Sequence, residues 1–141
     1  MASSKTYVHV ARFGVKDAFD SKYASKLPKL MKTCVERAIN GSSKLTTKKP
    51  RDRKAPGFYV DGSLVKLERI GSGAKTTIRA SLRLALATWP KKSMFAFPSG
   101  SAKLTIGETK RLEAEIEYLV GQMLDALLQS KVVKVLEKRS K

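Results

Sequence analysis

The sequence predicts an α+β fold: a two-layer sandwich with the element order β-α-β-β-β-α, in which two helices cover one face of a largely antiparallel sheet. Two long segments repeat apolar residues at helical spacing, and the segments between them alternate apolar and polar residues as strands do. The chain has 141 residues, 42% of them hydrophobic, which suits one domain with one core. We therefore expect residues 1–141 to form a single basic domain.

The first strand and the first helix lie near the amino terminus. Residues 6–13 are rich in β-branched side chains, which favours a short strand. Residues 17–40 carry one apolar stripe, which predicts an amphipathic helix. Pro28 either kinks this helix or lies in the first turn of a helix that begins near Ser25. The stripe consists of Phe19, Tyr23, Leu27, Met31, Cys34, Val35 and Ala38.

The next segment, residues 42–56, is dense in Lys and Arg and contains two prolines. Apart from the prolines, only Leu45 and Ala55 are apolar. A segment of this composition buries little surface, so we expect an exposed, flexible, basic loop.

The middle of the chain predicts three consecutive strands that form an antiparallel meander. The clearest strand spans residues 75–89, with aliphatic residues on one face and Thr, Arg and Ser on the other. Asp61-Gly62 is a hairpin-type or bulge signal in the strand before it, and residues 72–74 form a turn. A third strand spans 94–106 and is interrupted by a Pro-Ser-Gly sequence. The aliphatic face consists of Ile78, Ala80, Leu82, Leu84 and Leu86.

The last third predicts a second amphipathic helix over residues 108–128, with the spacing of a capping box between Thr105 and Glu108. Residues 130–137 fit either a final edge strand or a continuation of the helix, and their β-branched content favours the strand. The tail at residues 137–141 is expected to fray.

The chain is strongly basic: 29 Lys and Arg residues against 12 Asp and Glu residues give a net charge of +17. Residues 1–106 hold 22 of the basic and 6 of the acidic residues. An anionic partner would relieve the self-repulsion, so we expect nucleic acid or another polyanion, with an acidic protein or an anionic membrane surface as alternatives. The residues expected to bind it are Lys22, Lys26, Lys29, Arg37, Lys44, Lys48, Lys49, Arg51, Arg53, Lys54, Lys66, Arg79 and Arg83.

The strand residues of this set would give a basic sheet surface of the kind that single-strand and RNA binders use. Such surfaces also need exposed aromatic rings, and Trp89 at a strand end is the best candidate. The main prediction is thus a nucleic-acid-binding module that uses the basic loop and helix face. An open sheet could also pair with a second copy of the chain, so a homodimer through the sheet is a further alternative. The aromatic candidates are Tyr59, Trp89, Phe95 and Phe97.

The sequence offers no pattern that indicates catalysis. His9 is the only histidine and has no second ligand nearby, so we expect no metal site. Cys34 lies in the apolar stripe of the first helix and is interpreted as a small buried hydrophobe. Paired carboxylates and triads are missing from the sequence pattern, so we expect no enzyme activity and no cofactor.

The order of elements and one short motif carry a resemblance. A Val-rich strand ends near Phe13, a helix follows, and residues 59–64 then read YVDGSL. This pattern resembles bacterial envelope domains: the amino-terminal domain of the Tol-Pal β-propeller protein, the curli secretion lipoprotein, and the lipoprotein activators of penicillin-binding proteins. The resemblance implies a non-enzymatic envelope scaffold or activator, which is the alternative function. We expect a cytoplasmic protein as the sequence stands, or one of the bacterial envelope if a signal peptide has been removed.

Overall fold

The computed structural model describes residues 5–11, 13–51, 55–71, 75–106 and 112–139. The strands are β1 (Thr6–Val10), β2 (Gly14–Val15), β3 (Leu45–Thr46), β4 (Gly57–Ile70), β5 (Thr76–Trp89), β6 (Met94–Ala96) and β7 (Ser99–Ile106). The helices are α1 (Tyr23–Asn40), α2 (Leu112–Leu127) and α3 (Val133–Arg139), with a π-helical turn (Leu128–Val132) between the last two.

One seven-stranded sheet runs in the order β3-β1-β4-β5-β6, with β2 paired to β4 and β7 paired to β5. Strands β4, β5, β6 and β7 pair in antiparallel fashion, whereas β1 is parallel to both β3 and β4. The predicted α+β class and the largely antiparallel sheet are confirmed. The β4–β5 hairpin is the longest pairing and forms the centre of the sheet.

The core lies between the sheet and the helices. The predicted aliphatic face of β5 is buried, because its alternate side chains all point towards the helical layer. Helix α1 buries five side chains four residues apart, which is one stripe of an α-helix: Tyr23, Leu27, Met31, Val35 and Ile39. Phe19 precedes α1 and stays exposed, and Pro28 lies within the helix rather than in its first turn.

The final strand predicted for residues 130–137 is wrong, since this segment is helical. Val132, Val133 and Leu136 are buried at a spacing that continues the apolar stripe of α2. Gln129 and Ser130 are exposed, and the Ser130 hydroxyl donates to the Ala126 carbonyl at 2.8 Å. Residues 137–139 of the predicted frayed tail also belong to α3.

The Asp61-Gly62 signal marks neither a turn nor a bulge, because both residues lie inside β4. The register shift occurs further on, between Leu64 and Lys66. A side chain at Gly62 would place its Cβ 3.0 Å from Cε2 of Phe13, so this glycine makes room for a buried ring.

The predicted capping box is not formed by Thr105, which lies in β7 and has its hydroxyl 3.1 Å from that of Thr77. Glu108, the other member of that box, lies outside the described residues. The turn predicted at 72–74 also lies outside them.

Candidate functional site

The sheet face opposite the helices is uncovered by any described element, and its central part is basic. The alternation of β5 places Arg79 and Arg83 on this face, as the sequence predicts. Register places Lys103 of β7 opposite Arg79, and Ser99 of β7 opposite Arg83. We call Lys66, Arg79, Arg83 and Lys103, with the Ser and Thr residues between them and with Glu68, the register partner of Arg79, the open sheet face. All four cationic residues are exposed.

The same face carries aromatic rings at the ends of β1 and β5. His9 lies nearly parallel to the ring of Trp89, at 4.5 Å between centroids, and to that of Tyr59, at 5.7 Å. Tyr7 meets Trp89 edge to face at 5.8 Å, and a hydrogen bond of 3.0 Å joins its hydroxyl to Nδ1 of His9. We call Tyr7, His9, Tyr59 and Trp89 the aromatic cluster. Its rings are engaged with one another.

The aromatic cluster depends on a glycine between two of its members. Gly57 lies between Tyr7 of β1 and Trp89 of β5 in the strand register. A Cβ on Gly57 would lie 2.5 Å from the Tyr7 carbonyl oxygen and 3.4 Å from its Cβ. The missing side chain therefore lets the Tyr7 and Trp89 rings meet across β4.

Positive charge surrounds the aromatic cluster. Nζ of Lys92 lies 5.1 Å from the centroid of the Tyr59 ring. Burial lowers the pKa of His9 below its ordinary value of 6.5, and the charges of Lys92, Lys49 and Lys32 lower it further. The pKa of Tyr59 is raised by burial and by its hydrogen bond to Asp61.

The predicted aromatic candidates separate in the structure. Tyr59 and Trp89 belong to the aromatic cluster, where both are half-buried. Phe95 packs on Phe58, and the Arg139 guanidinium lies 3.9 Å from the centroid of the Phe95 ring. The side chain of Phe97 is 62% exposed. The sequence interpretation missed Tyr7, although its two-residue spacing from His9 indicates a shared strand face.

The predicted basic residues do not form one surface. Lys26, Lys29 and Arg37 are exposed on α1, and Lys22 is exposed directly before it, so all four lie in the helical layer and away from the open sheet face. Three of the predicted cations have carboxylate partners: Lys22 with Asp20 at 4.0 Å, Lys66 with Glu68 at 3.5 Å, and Lys26 with Glu113. Their charge is therefore partly offset where they lie.

The predicted basic loop contains structure. Leu45 and Thr46 form β3 beside β1, and Leu45 is fully buried. The side chain of Lys44 is exposed, and its backbone carbonyl accepts a hydrogen bond of 2.8 Å from the Thr6 amide. The Thr47 amide donates to the Asn40 side chain at 3.0 Å, which ties the segment to the end of α1. Arg53 and Lys54 lie outside the described residues.

A cavity of about 600 Å³ lies where this segment meets the start of β1. We call it the edge cavity. Its lining contains basic, hydroxyl and proline residues and no carboxylate among the described residues. The lining residues are Lys5, Thr6, Tyr7, Thr46, Lys48, Lys49, Pro50, Arg51, Ala55 and Pro56.

A second cavity, of about 670 Å³, lies between α1 and the α2–α3 region. Cys34, Arg37 and Asp125 line it, and burial raises the pKa of the Cys34 thiol, which favours its neutral form. In the part of the chain that the structure describes, no three His, Cys, Asp or Glu residues gather as a metal site would require.

No protein-family model and no curated protein sequence matches the chain. Its fold matches the hypothetical protein CT253 from Chlamydia trachomatis, with a TM-score of 0.65 and 15% identity over 97% of this chain and 98% of that one. The PelC dodecamer from Paraburkholderia phytofirmans gives 0.57 and 7% identity, covering 88% and 86%. A minor lipoprotein from Acinetobacter baumannii gives 0.51 and 11% identity, covering 90% and 93%.

At these identities the similarity shows a shared fold alone. One of the three, the Acinetobacter baumannii protein, is a lipoprotein, whereas the Tol-Pal and curli proteins of the predicted resemblance are not among them. No helix within the described residues is both long enough and apolar enough to cross a membrane.

Proposed function

We propose that this chain is a non-enzymatic docking domain of the bacterial envelope that binds an acidic partner protein through the open sheet face. The observation that carries the proposal is the exposed row formed by Arg79, Arg83 and Lys103 on a face that no described helix covers. The fold shared with the Acinetobacter baumannii lipoprotein supports the envelope setting, by analogy of fold.

The chemistry of the open sheet face favours carboxylates. The two guanidinium groups each present a planar fork of donors that matches a carboxylate, and neighbouring Ser hydroxyls add further donors. A second copy of the same face would bring Arg79 and Arg83 against identical charges, which costs free energy. We therefore infer a different, acidic protein as partner rather than the homodimer that an open sheet suggests.

Nucleic acid, the main prediction from the sequence, receives no support from the comparisons. Single-strand binders present free ring faces on which bases stack. Here the His9 ring stacks on the rings of Tyr59 and Trp89, so one face of each of these two rings is already in contact with His9. RNA is accordingly the competing ligand in the test rather than the proposed one.

The test compares binding to poly-L-glutamate and to single-stranded RNA of equal charge across a salt series. We expect the double variant Arg79→Glu with Arg83→Glu to weaken poly-L-glutamate binding at least about tenfold. Both positions would then repel the carboxylates of the ligand instead of attracting them. The matched control is Lys131→Glu with Lys138→Glu, two exposed lysines of the helical layer. An equal loss in both double variants, or tighter binding of RNA than of poly-L-glutamate, would contradict the proposal.

A further inference from the structure

The edge cavity gathers positive charge from two separate segments of the chain. Lys5 precedes β1, whereas Lys48, Lys49 and Arg51 follow β3. Lys22, Lys26 and Lys66 have carboxylates beside them, but within the described residues no ion pair involves any of the four cavity cations. Four like charges that line one space repel one another, and an anion placed among them would remove that cost.

We propose that the edge cavity is a binding site for a phosphate group, carried either by a soluble phosphorylated ligand or by a lipid headgroup. The site is distinct from the open sheet face, so the inference goes beyond the proposed function. Arg51 offers the bidentate donors that suit phosphate oxygens, and the lysines supply point charges. A space of about 600 Å³ suits one small ligand rather than a protein surface.

The β1 and β3 side of the edge cavity is held in place before any ligand binds. Leu45 anchors β3 in the core, and parallel pairing with β1 aligns Thr6 with Leu45 and Tyr7 with Thr46. The Asn40 side chain holds Thr47 through its amide at 3.0 Å and its hydroxyl at 2.9 Å. Binding at a preformed site costs less ordering entropy than binding to a flexible loop.

The positive potential of the edge cavity reaches the aromatic cluster. Tyr7 belongs to both, and its hydroxyl is joined to His9. The charge of Lys49 contributes to the lowered pKa of His9, after burial and the charge of Lys92. An anion in the cavity would offset the effect of Lys49 and raise that pKa, so the only histidine of the chain reports on the site.

The experiment follows the imidazole proton resonances of His9 in the full chain while inorganic pyrophosphate is added. We expect a saturable shift and a higher pKa of His9. Lys48→Gln with Lys49→Gln should weaken pyrophosphate binding at least about tenfold, since two charged contacts are lost. The control Lys131→Gln with Lys138→Gln should keep the wild-type affinity, because both lysines lie in the helical layer.

A second arm distinguishes the two phosphate sources. Vesicles of phosphatidylglycerol in phosphatidylcholine are sedimented with the wild type and both double variants. Vesicle binding that needs Lys48 and Lys49, with a weak pyrophosphate response, identifies a lipid headgroup, whereas a saturable pyrophosphate response identifies a soluble ligand. The proposal is overturned if neither probe gives saturable binding, if acetate produces the same His9 shift, or if the control loses binding equally. Poly-L-glutamate binding depends on residues of the open sheet face rather than of the edge cavity. A result that contradicts one proposal therefore leaves the other standing.

Discussion

The imidazole of His9 stacks on the indole of Trp89, with the ring centroids 4.5 Å apart and the planes at 14°. They are the only histidine and the only tryptophan of the chain. The stack therefore joins the one side chain that titrates near neutral pH to the one strong fluorophore. Changes at the aromatic end of the sheet can be followed without labels.

The stability of the protein should depend on the titration of His9. Its pKa is ordinarily 6.5 and is lower in the folded protein, because of burial and the charges of Lys92 and Lys49. Between the two values the unfolded state binds more protons, so the free energy of unfolding falls as the pH is lowered through this range and is unaffected above it. Denaturation of the wild type and of His9→Gln from about pH 8 to about pH 5 checks this. Parallel curves for the two proteins would contradict the assignment.

A methyl group at Gly57 should disrupt the aromatic end of the sheet. Its Cβ would lie 2.5 Å from the carbonyl oxygen of Tyr7, which is backbone and cannot rotate away. We expect Gly57→Ala to lower the free energy of unfolding by about 1–3 kcal/mol and to change the Trp89 fluorescence.

The control for this change is Gly121→Ala in α2, where an added Cβ meets nothing within 4 Å. An alanine in a helix interior should raise the free energy of unfolding by about 0.5–1 kcal/mol. Urea denaturation of both variants measures the contrast. Equal effects of the two substitutions would show that Gly57 has no special role in packing.

Strong periodicity made the helical layer and the long hairpin predictable. The alternation in β5 and the four-residue spacing in α1 each place the apolar side chains on one face of the element. Burial of that face against the other layer stabilises both elements. The α+β class follows from these patterns because each apolar face needs a partner.

The features that the sequence left open depend on contacts between distant residues. β-branched content favours a strand at Val132 and Val133, but the helical stripe that continues from α2 overrides this local preference. Leu45 occurs alone in a basic segment, so no periodicity predicts β3. The aromatic cluster brings together residues of β1, β4 and β5, and it depends on the parallel register between β1 and β4, which no local pattern determines.

Leu45 should be essential to the fold even though it lies in the most basic segment of the chain. Its side chain is fully buried in β3, whereas that of its neighbour Lys44 is exposed. We expect Leu45→Ala to lower the free energy of unfolding by about 2–5 kcal/mol through the cavity that it leaves. Lys44→Ala should change it by less than about 0.5 kcal/mol. Equal denaturation midpoints for the two variants would mean that β3 adds nothing to the core.

Alanine substitutions in α3 test its helical conformation directly. In a strand, Val133 and Val135 would share one face, whereas in the helix Val133 is buried with Leu136 and Val135 is half-buried. We expect Val133→Ala to cost about 1.5–3 kcal/mol and Leu136→Ala about 2–5 kcal/mol. Val135→Ala should cost less than either, because less of its side chain leaves water on folding. Thermal and urea denaturation of the three variants rank these costs. A cost for Val135→Ala equal to that for Val133→Ala, with Leu136→Ala neutral, would restore the strand that the β-branched content favours.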